Sequence, residues 1–408
     1  MPSESLAIGL FCVDCNTEHP LAYHLNCTRC DGLLEIKYDL ERLSEFASPN
    51  TSRTGVWRYA AWMPIHQPEH FISLGEQPTP LMPAPRLGAA IGIPKLWIKF
   101  EGGLPTGTVK DRSSQTATAA AKQFGFDVIG VVSTGNAASS IATYAARAGL
   151  RGAVFCYTRT TPAKMAHIVG VASDAIWYDG SYDDMISVFD EAVDKQWFFD
   201  GGATRNPYKQ EGKKTVALEI FEQLGRRAPD TMVYPVGMGE TLLASQRAWS
   251  ALKTMSLIEH MPRPVSAQSD EANTLATAWT SGENLQPKDI GYTIAEGTAV
   301  GDMGRKGLLT LRRIREQDGA AGCVSDEEIL AMQQTIAALE GLWVGPTGTV
   351  PVAVAARLAQ EKVIDGNAET VCVVTETGLK GDWAPSHVEG ERPSLHMIER
   401  MLKQDMNP

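Results

Sequence analysis

No stretch of the 408 residues approaches the roughly 18 consecutive apolar residues of a membrane-spanning helix, and the segment around Val128–Val132 is only strand-sized. Basic charge is short as well: 37 Lys and Arg stand against 48 Asp and Glu, a formal charge of -11. An acidic field repels phosphate backbones unless basic residues are concentrated locally, and no such patch stands out. Nucleic acid is therefore not an expected partner. Short basic pieces such as Arg312-Arg313 and Gly212-Lys213-Lys214 read as solvated helix faces. The opening Met1-Pro2-Ser3-Glu4-Ser5 lacks the basic segment of a secretory signal, and the short apolar stretch behind it runs into cysteines instead of a cleavage site. A cytoplasmic protein with no membrane partner is the expectation. Internal repeats and low-complexity tracts are absent too. What remains, with 43% apolar, 21% charged and 7% aromatic residues, is the composition of a globular chain. At roughly 150 residues per domain the length corresponds to about 2.7 domains.

Cysteine is sparse but not scattered. Four of the seven, Cys12, Cys15, Cys27 and Cys30, follow the spacing C-x2-C-x11-C-x2-C. Two such knuckles can present four thiolates to one tetrahedral Zn²⁺, which in a reducing compartment is favoured over disulfides. The module is too small to fold on a core, so the metal would supply its folding energy, and four sulfur ligands leave no open position for catalysis. A degenerate ribbon that binds nothing, or a nucleic-acid ribbon, are the competing readings. His19 and His24 are surplus to four thiolates. Cys156, Cys323 and Cys372 lie in apolar surroundings and read as small buried hydrophobes.

Residues 36 to 95 are rich in Pro and aromatics and read as an irregular arm. From Leu96 onward, β-branched runs alternate with Ala-rich helical stretches: Val128 to Val132, Ser139 to Ala148, Gly152 to Phe155, a helix from Pro162, then strands at Met232 to Val236 and Thr370 to Val374. Residues 283 to 306 are loop-rich, and helices carry Leu308 to Glu316 and Asp326 to Leu339. Strand, loop, helix, strand is the grammar of an α/β protein with parallel sheets covered by helices.

Four places on this framework suit anion chemistry. Lys110 follows a Gly/Pro-rich turn and heads a helix, where the positive end of the dipole lowers an amine's pKa and suits Schiff-base chemistry. The turn fails the nucleotide phosphate-loop pattern, because Gly107 is followed by Thr108. Ser133-Thr134-Gly135-Asn136 closes a strand and opens a helix, a place for a carboxylate or phosphate. Gly237-Met238-Gly239-Glu240-Thr241 does the same but lacks the third glycine of a dinucleotide fingerprint. Thr375 stands at the carboxyl end of the last strand, where α/β ligands gather. A phosphate-bearing aldehyde cofactor would use all four.

Laid end to end, these segments resemble the threonine synthase family of fold-type II pyridoxal phosphate enzymes. The likeness covers Cys30-Asp31-Gly32-Leu33-Leu34-Glu35, Val56-Trp57-Arg58-Tyr59, Ser73-Leu74-Gly75-Glu76, and Pro105-Thr106-Gly107-Thr108-Val109-Lys110-Asp111-Arg112. It continues through Ser133 to Asn136, Asn206-Pro207-Tyr208-Lys209, Val324-Ser325-Asp326-Glu327-Glu328-Ile329 and Thr375 to Lys380. The resemblance implies a tryptophan synthase β-like fold of two three-layer α/β/α domains behind an N-terminal zinc ribbon. Its spans would be 1–40 for the ribbon, 41–125 with 226–408 for the large cofactor domain, and 126–225 for the small one.

It further implies that Lys110 carries pyridoxal 5'-phosphate and shuttles protons, that Asn136 meets the pyridine hydroxyl and that Thr375 meets the ring nitrogen. Gly237, Met238, Gly239, Glu240 and Thr241 would cradle the cofactor phosphate, and Ser133 and Thr134 the substrate carboxylate. Lys99, Asn206 and Lys209, with Arg205 compensating, would surround a substrate phosphate. The implied reaction turns O-phospho-L-homoserine and water into L-threonine and phosphate. Departures touch the leaving-group pocket: the family's N-S-x-N-P-[H/Y]-R reads Ala203 to Lys209 here, exchanging an Arg fork for a Lys point charge. Hence the alternatives: β- or γ-replacement or elimination on another activated amino acid, cysteate synthase-like or dehydratase-like, or a non-catalytic zinc-ribbon interaction protein. A homodimer is allowed but not specified.

Overall fold

The computed structural model describes residues 5–133, 135–157, 162–179, 182–202 and 205–381. Strands β1 (Ala7–Cys12), β2 (Glu18–His19) and β3 (Leu34–Tyr38) form a small antiparallel sheet in the order β2-β1-β3, from which the cysteine knuckles project. β4 (Leu81–Pro83) and β5 (Leu96–Phe100) follow. β6 (Val128–Val132), β7 (Arg151–Tyr157), β8 (Asp174–Tyr178) and β9 (Phe199–Asp200) build a four-stranded parallel sheet in the order β8-β7-β6-β9. β10 (Thr231–Pro235), β11 (Arg263–Ser269), β12 (Ala320–Val324) and β13 (Thr370–Val374) join the earlier pair in a six-stranded sheet, β12-β11-β10-β13-β5-β4. Only β4 on its edge runs antiparallel.

Helical cover on both faces explains why these strands read as continuous apolar runs. Side chains alternate across a strand, so Val233, Cys372 and Val374 enter one core with the helix Pro346–Gln360, while Met232, Tyr234, Val371 and Val373 enter the other. The helix after β6 starts at Asn136 and ends where Gly149 turns left-handed at φ 71°. The helix at Asp326–Glu340 opens on a reciprocal capping box between Ser325 and Glu328.

Three expectations need correction. The segment 36 to 95 is not simply an arm: it contains β4, the helix Pro85–Ile91 and a fully buried 3-10 stretch, Gly55–Trp62. Aromatic packing of Trp57, Tyr59 and Trp62 holds that stretch, and such packing leaves no local periodicity. Lys213 and Lys214 are buried, not solvated. Cys323 is half-buried, unlike buried Cys156 and Cys372.

Candidate active site

Lys110 is the first residue of the helix Lys110–Gln123. The preceding turn is fastened to the end of β13: Val109 N donates to Thr375 O at 2.9 Å, and Thr377 N to Gly107 O at 3.0 Å. Glu376, next along, accepts from Thr347 N at 3.1 Å and from Asn136 Nδ2. Backbone pairing thus brings Lys110 and Thr375 together, and the Glu376 side chain ties Asn136 to the same edge from a third part of the chain. Two buried atoms there have no hydrogen-bond partner among the described residues, Asn136 Oδ1 and Thr375 Oγ1. A buried polar atom left unpaired is costly, so an orphaned pair beside a Lys amine is what a polar aromatic ligand would satisfy.

Ser133 hydroxyl accepts from Gly135 N at 3.2 Å, shaping the turn that opens the Asn136 helix. Thr134 lies outside the described residues, as do Ala203 and Thr204. The second turn, Gly237 to Thr241, leads into the helix Glu240–Thr254, whose first-turn N–H groups an α-helix leaves unpaired. Here glycine is required: a Cβ on Gly237 would stand 2.5 Å from Gly297 O, and Gly239, at φ 78°, would place one 2.2 Å from Thr310 Oγ1.

The Glu240 side chain turns away from a simple cradle role. Its buried carboxylate pairs with Lys213 Nζ at 2.5 Å and Lys306 Nζ at 3.4 Å, and Lys209 and Lys110 also act on it. These cations hold Glu240 well below the usual carboxylate range, overriding its burial. In return Lys110 is brought down to about 7, first by repulsion from Lys213 and then by desolvation. Lys306 is lowered to about 8, chiefly by burial, and burial likewise lowers Lys209. The helix dipole is therefore not the leading cause for Lys110; a neighbouring ammonium is. Neither Lys213 nor Lys306 was legible as a site residue, because their only local signal was two adjacent basic residues.

Lys99 does not belong to this cluster. Its three N–H donors go to Thr79 O at 2.8 Å, Glu219 Oε2 at 2.7 Å and Gln223 Oε1 at 2.9 Å, leaving none for a phosphate. Asn206 is committed as a helix cap: its Oδ1 accepts from Tyr208 N and Lys209 N, and its Nδ2 donates to Asp200 O at 2.6 Å. Arg205 pairs with Asp190 and Asp194 at 3.1 Å each, so it cannot compensate for a lost Arg. Lys209, buried and with no hydrogen bond from its ammonium among the described residues, is the cation left for a ligand.

At the other end of the chain the four cysteine sulfurs lie within 4.8 Å of one another. Cys12 and Cys30 are 3.5 Å apart, and Cys15 and Cys27 3.6 Å. A tetrahedron with Zn–S of about 2.3 Å requires sulfurs about 3.8 Å apart, whereas a disulfide needs about 2.05 Å. His19 Nε2 lies 3.3 Å from Cys27 Sγ as an outer neighbour. Among the described residues no helix is long and apolar enough to cross a membrane.

The sequence profile described as Pyridoxal-phosphate dependent enzyme matches residues 72–376. The chain is 29% identical over 402 residues to the threonine synthase of Methanocaldococcus jannaschii, covering 96% of this chain and 99% of that one. Against the threonine synthase of Methanosarcina acetivorans it is 30% identical over 375 residues, 91% and 92% of the two chains. Among solved structures, maize serine racemase superposes with a TM-score of 0.63 at 20% identity, over 81% of this chain and 93% of that one, a likeness of fold.

Proposed function

Because the chain belongs to the pyridoxal-phosphate dependent enzyme family and, within it, to the threonine synthases, we propose that it converts O-phospho-L-homoserine and water into L-threonine and phosphate. One observation carries the reading: three buried lysines, Lys209, Lys213 and Lys306, and the half-buried Lys110 act on Glu240, beside Asn136 Oδ1 and Thr375 Oγ1, which have no partner among the described residues. That excess of positive charge suits two phosphates, one on the cofactor and one on the substrate.

The residues fit pyridoxal phosphate. Lys110 would bind its aldehyde, Thr375 Oγ1 and Asn136 Oδ1 its polar ring positions, and the turn from Gly237 to Thr241 its phosphate. When bound, this group takes up electron density from the substrate Cα. With a pKa of about 7, the Lys110 amine is half deprotonated at neutral pH, so it can accept a proton from Cα and Cβ and return one. Lys209 and Lys213 hold the phosphate as its bond to Cγ breaks, and the burial around them limits competing hydrolysis. Cγ gains a proton, water adds its hydroxyl at Cβ, and Cα is reprotonated.

Phosphate release from O-phosphohomoserine, measured beside release from phosphoserine, tests the proposal. Preference for phosphoserine, or for no phosphorylated substrate, would falsify it and favour replacement or elimination on another activated amino acid. The commitments of Lys99, Asn206 and Arg205 elsewhere are the observations favouring that second reading.

The same proposal includes one structural Zn²⁺ on Cys12, Cys15, Cys27 and Cys30, checked as one zinc per chain by elemental analysis. It also includes a cytoplasmic location, checked by fractionation. The spans 1–40, 41–125 with 226–408, and 126–225 are its domain scheme, each carrying one of the three sheets.

A further inference from the structure

We infer that the N-terminal cysteine module positions the buried lysines of the site, and that Tyr23 is the residue through which it acts on Lys209. The inference rests on reading those lysines as anion ligands.

Each of three cluster lysines has an immediate sequence neighbour tied to the module. Tyr208, beside Lys209, donates its hydroxyl to Ala22 O at 2.7 Å. Lys214, beside Lys213, places its ammonium 3.9 Å from the centre of the Tyr38 ring. Arg305, beside Lys306, reaches Asp14 and Asp31 at 3.7 Å each. Arg305 is half exposed and its pairs are long, so that tether is the weakest.

The Lys209 tether is the strongest because it closes a loop of buried and half-buried contacts. The Tyr23 ring stacks on Phe199 at 4.8 Å and meets the edge of Phe126 at 5.0 Å. Its hydroxyl accepts from Asp200 N at 3.0 Å. Asp200 O in turn accepts from Asn206 Nδ2, and Asn206 Oδ1 caps the helix Pro207–Glu211 that carries Lys209. With Tyr208 bonded to Ala22, both ends of the segment from Asp200 to Lys209 are held by two consecutive residues of the module. Ala22 and Tyr23 lie in the loop between the two cysteine knuckles, so a closed four-sulfur site fixes where that loop starts and ends. Gly32, just after the second knuckle, keeps the sulfur site compact: a Cβ there would stand 2.7 Å from Cys12 Sγ.

The test uses full-length, cofactor-loaded, zinc-containing protein and Tyr23→Phe, which keeps the stacked ring and removes the acceptor of the Asp200 N–H. The KM for O-phosphohomoserine and the Ki of inorganic phosphate should rise together by about 3- to 10-fold, with kcat within about twofold. Zinc removal by a chelator should produce the same rise and zinc should reverse it. Amide hydrogen exchange across 206–211 should quicken in both samples. A lowered unfolding midpoint with unchanged phosphate inhibition and unchanged exchange overturns the inference, since the module would then be only a staple. If the parent enzyme neither turns over O-phosphohomoserine nor responds to phosphate, the functional reading has failed. Exchange at 206–211 then decides the inference alone: faster in Tyr23→Phe supports it, unchanged overturns it.

Discussion

Two buried ionic clusters lie close in sequence and behave oppositely. Around Arg112, two cations meet two carboxylates: Arg112 and Lys99 are paired with Glu101 and Glu219, and Thr79 and Thr215 complete the hydrogen bonds. Around Glu240, four lysines act on that carboxylate, with Glu376 acting on Lys110 and Asp200 on Lys209 as further acids, and Lys110 and Lys209 keep their amines free of hydrogen bonds among the described residues. The first cluster is balanced and satisfied, so Glu219 is driven far below its ordinary range without anything left to bind a ligand. The second retains surplus positive charge, which is costly in a buried place and is offset when an anion arrives. Charge stoichiometry, rather than burial, separates the cluster that holds the fold from the one suited to chemistry.

The comparison can be broken most sharply at Lys110. Lys110→Ala should lower kcat on the order of 10²- to 10⁴-fold while leaving the thermal unfolding midpoint nearly unchanged; borohydride reduction and peptide mass spectrometry should find no cofactor-bearing peptide. Arg112→Met should do the reverse. It strands Glu101 and Glu219 in the interior and should destabilise the protein by about 3–5 kcal/mol in denaturant titrations. A stable Arg112→Met protein would show that the balanced cluster is not structural.

Lys213→Met sharpens the distinction through pH. Lys213 is the leading cause that lowers Lys110, whose folded pKa of about 7 lies below its ordinary 10.5. Capture of an aldehyde needs the neutral amine, so cofactor uptake by the apoenzyme should rise with pH around a midpoint near 7. In Lys213→Met the amine should stay protonated to higher pH, moving that midpoint upward by about one unit or more; an unmoved midpoint would remove Lys213 from the site. The smallest effect is reserved for the surface: Arg313→Ala breaks an exposed pair with Glu316 and should change stability by less than about 0.5 kcal/mol.

Much of the framework was legible because its signals are local. Val128 to Val132 and Thr370 to Val374 announced themselves as apolar runs, and Gly237 and Gly239 as an anion-suited turn between strand and helix. Lys99 came from the family resemblance alone, and nothing local to it in the sequence shows that its partners include Glu219, 120 residues away. Gly212-Lys213-Lys214 misled because a solvated face and a buried cluster share one local pattern.

What the sequence determined by itself is whatever depends on neighbours along the chain: the α/β alternation, the four-cysteine spacing, the glycine turns and the place of Lys110 at a helix start. Only tertiary structure decided which charges meet. Glu376 reaches Asn136 across 240 residues, and Glu240 gathers lysines from three separate segments beyond its own helix. Electrostatic and hydrogen-bond energies depend on distance in space and on access to water, and folding alone sets both.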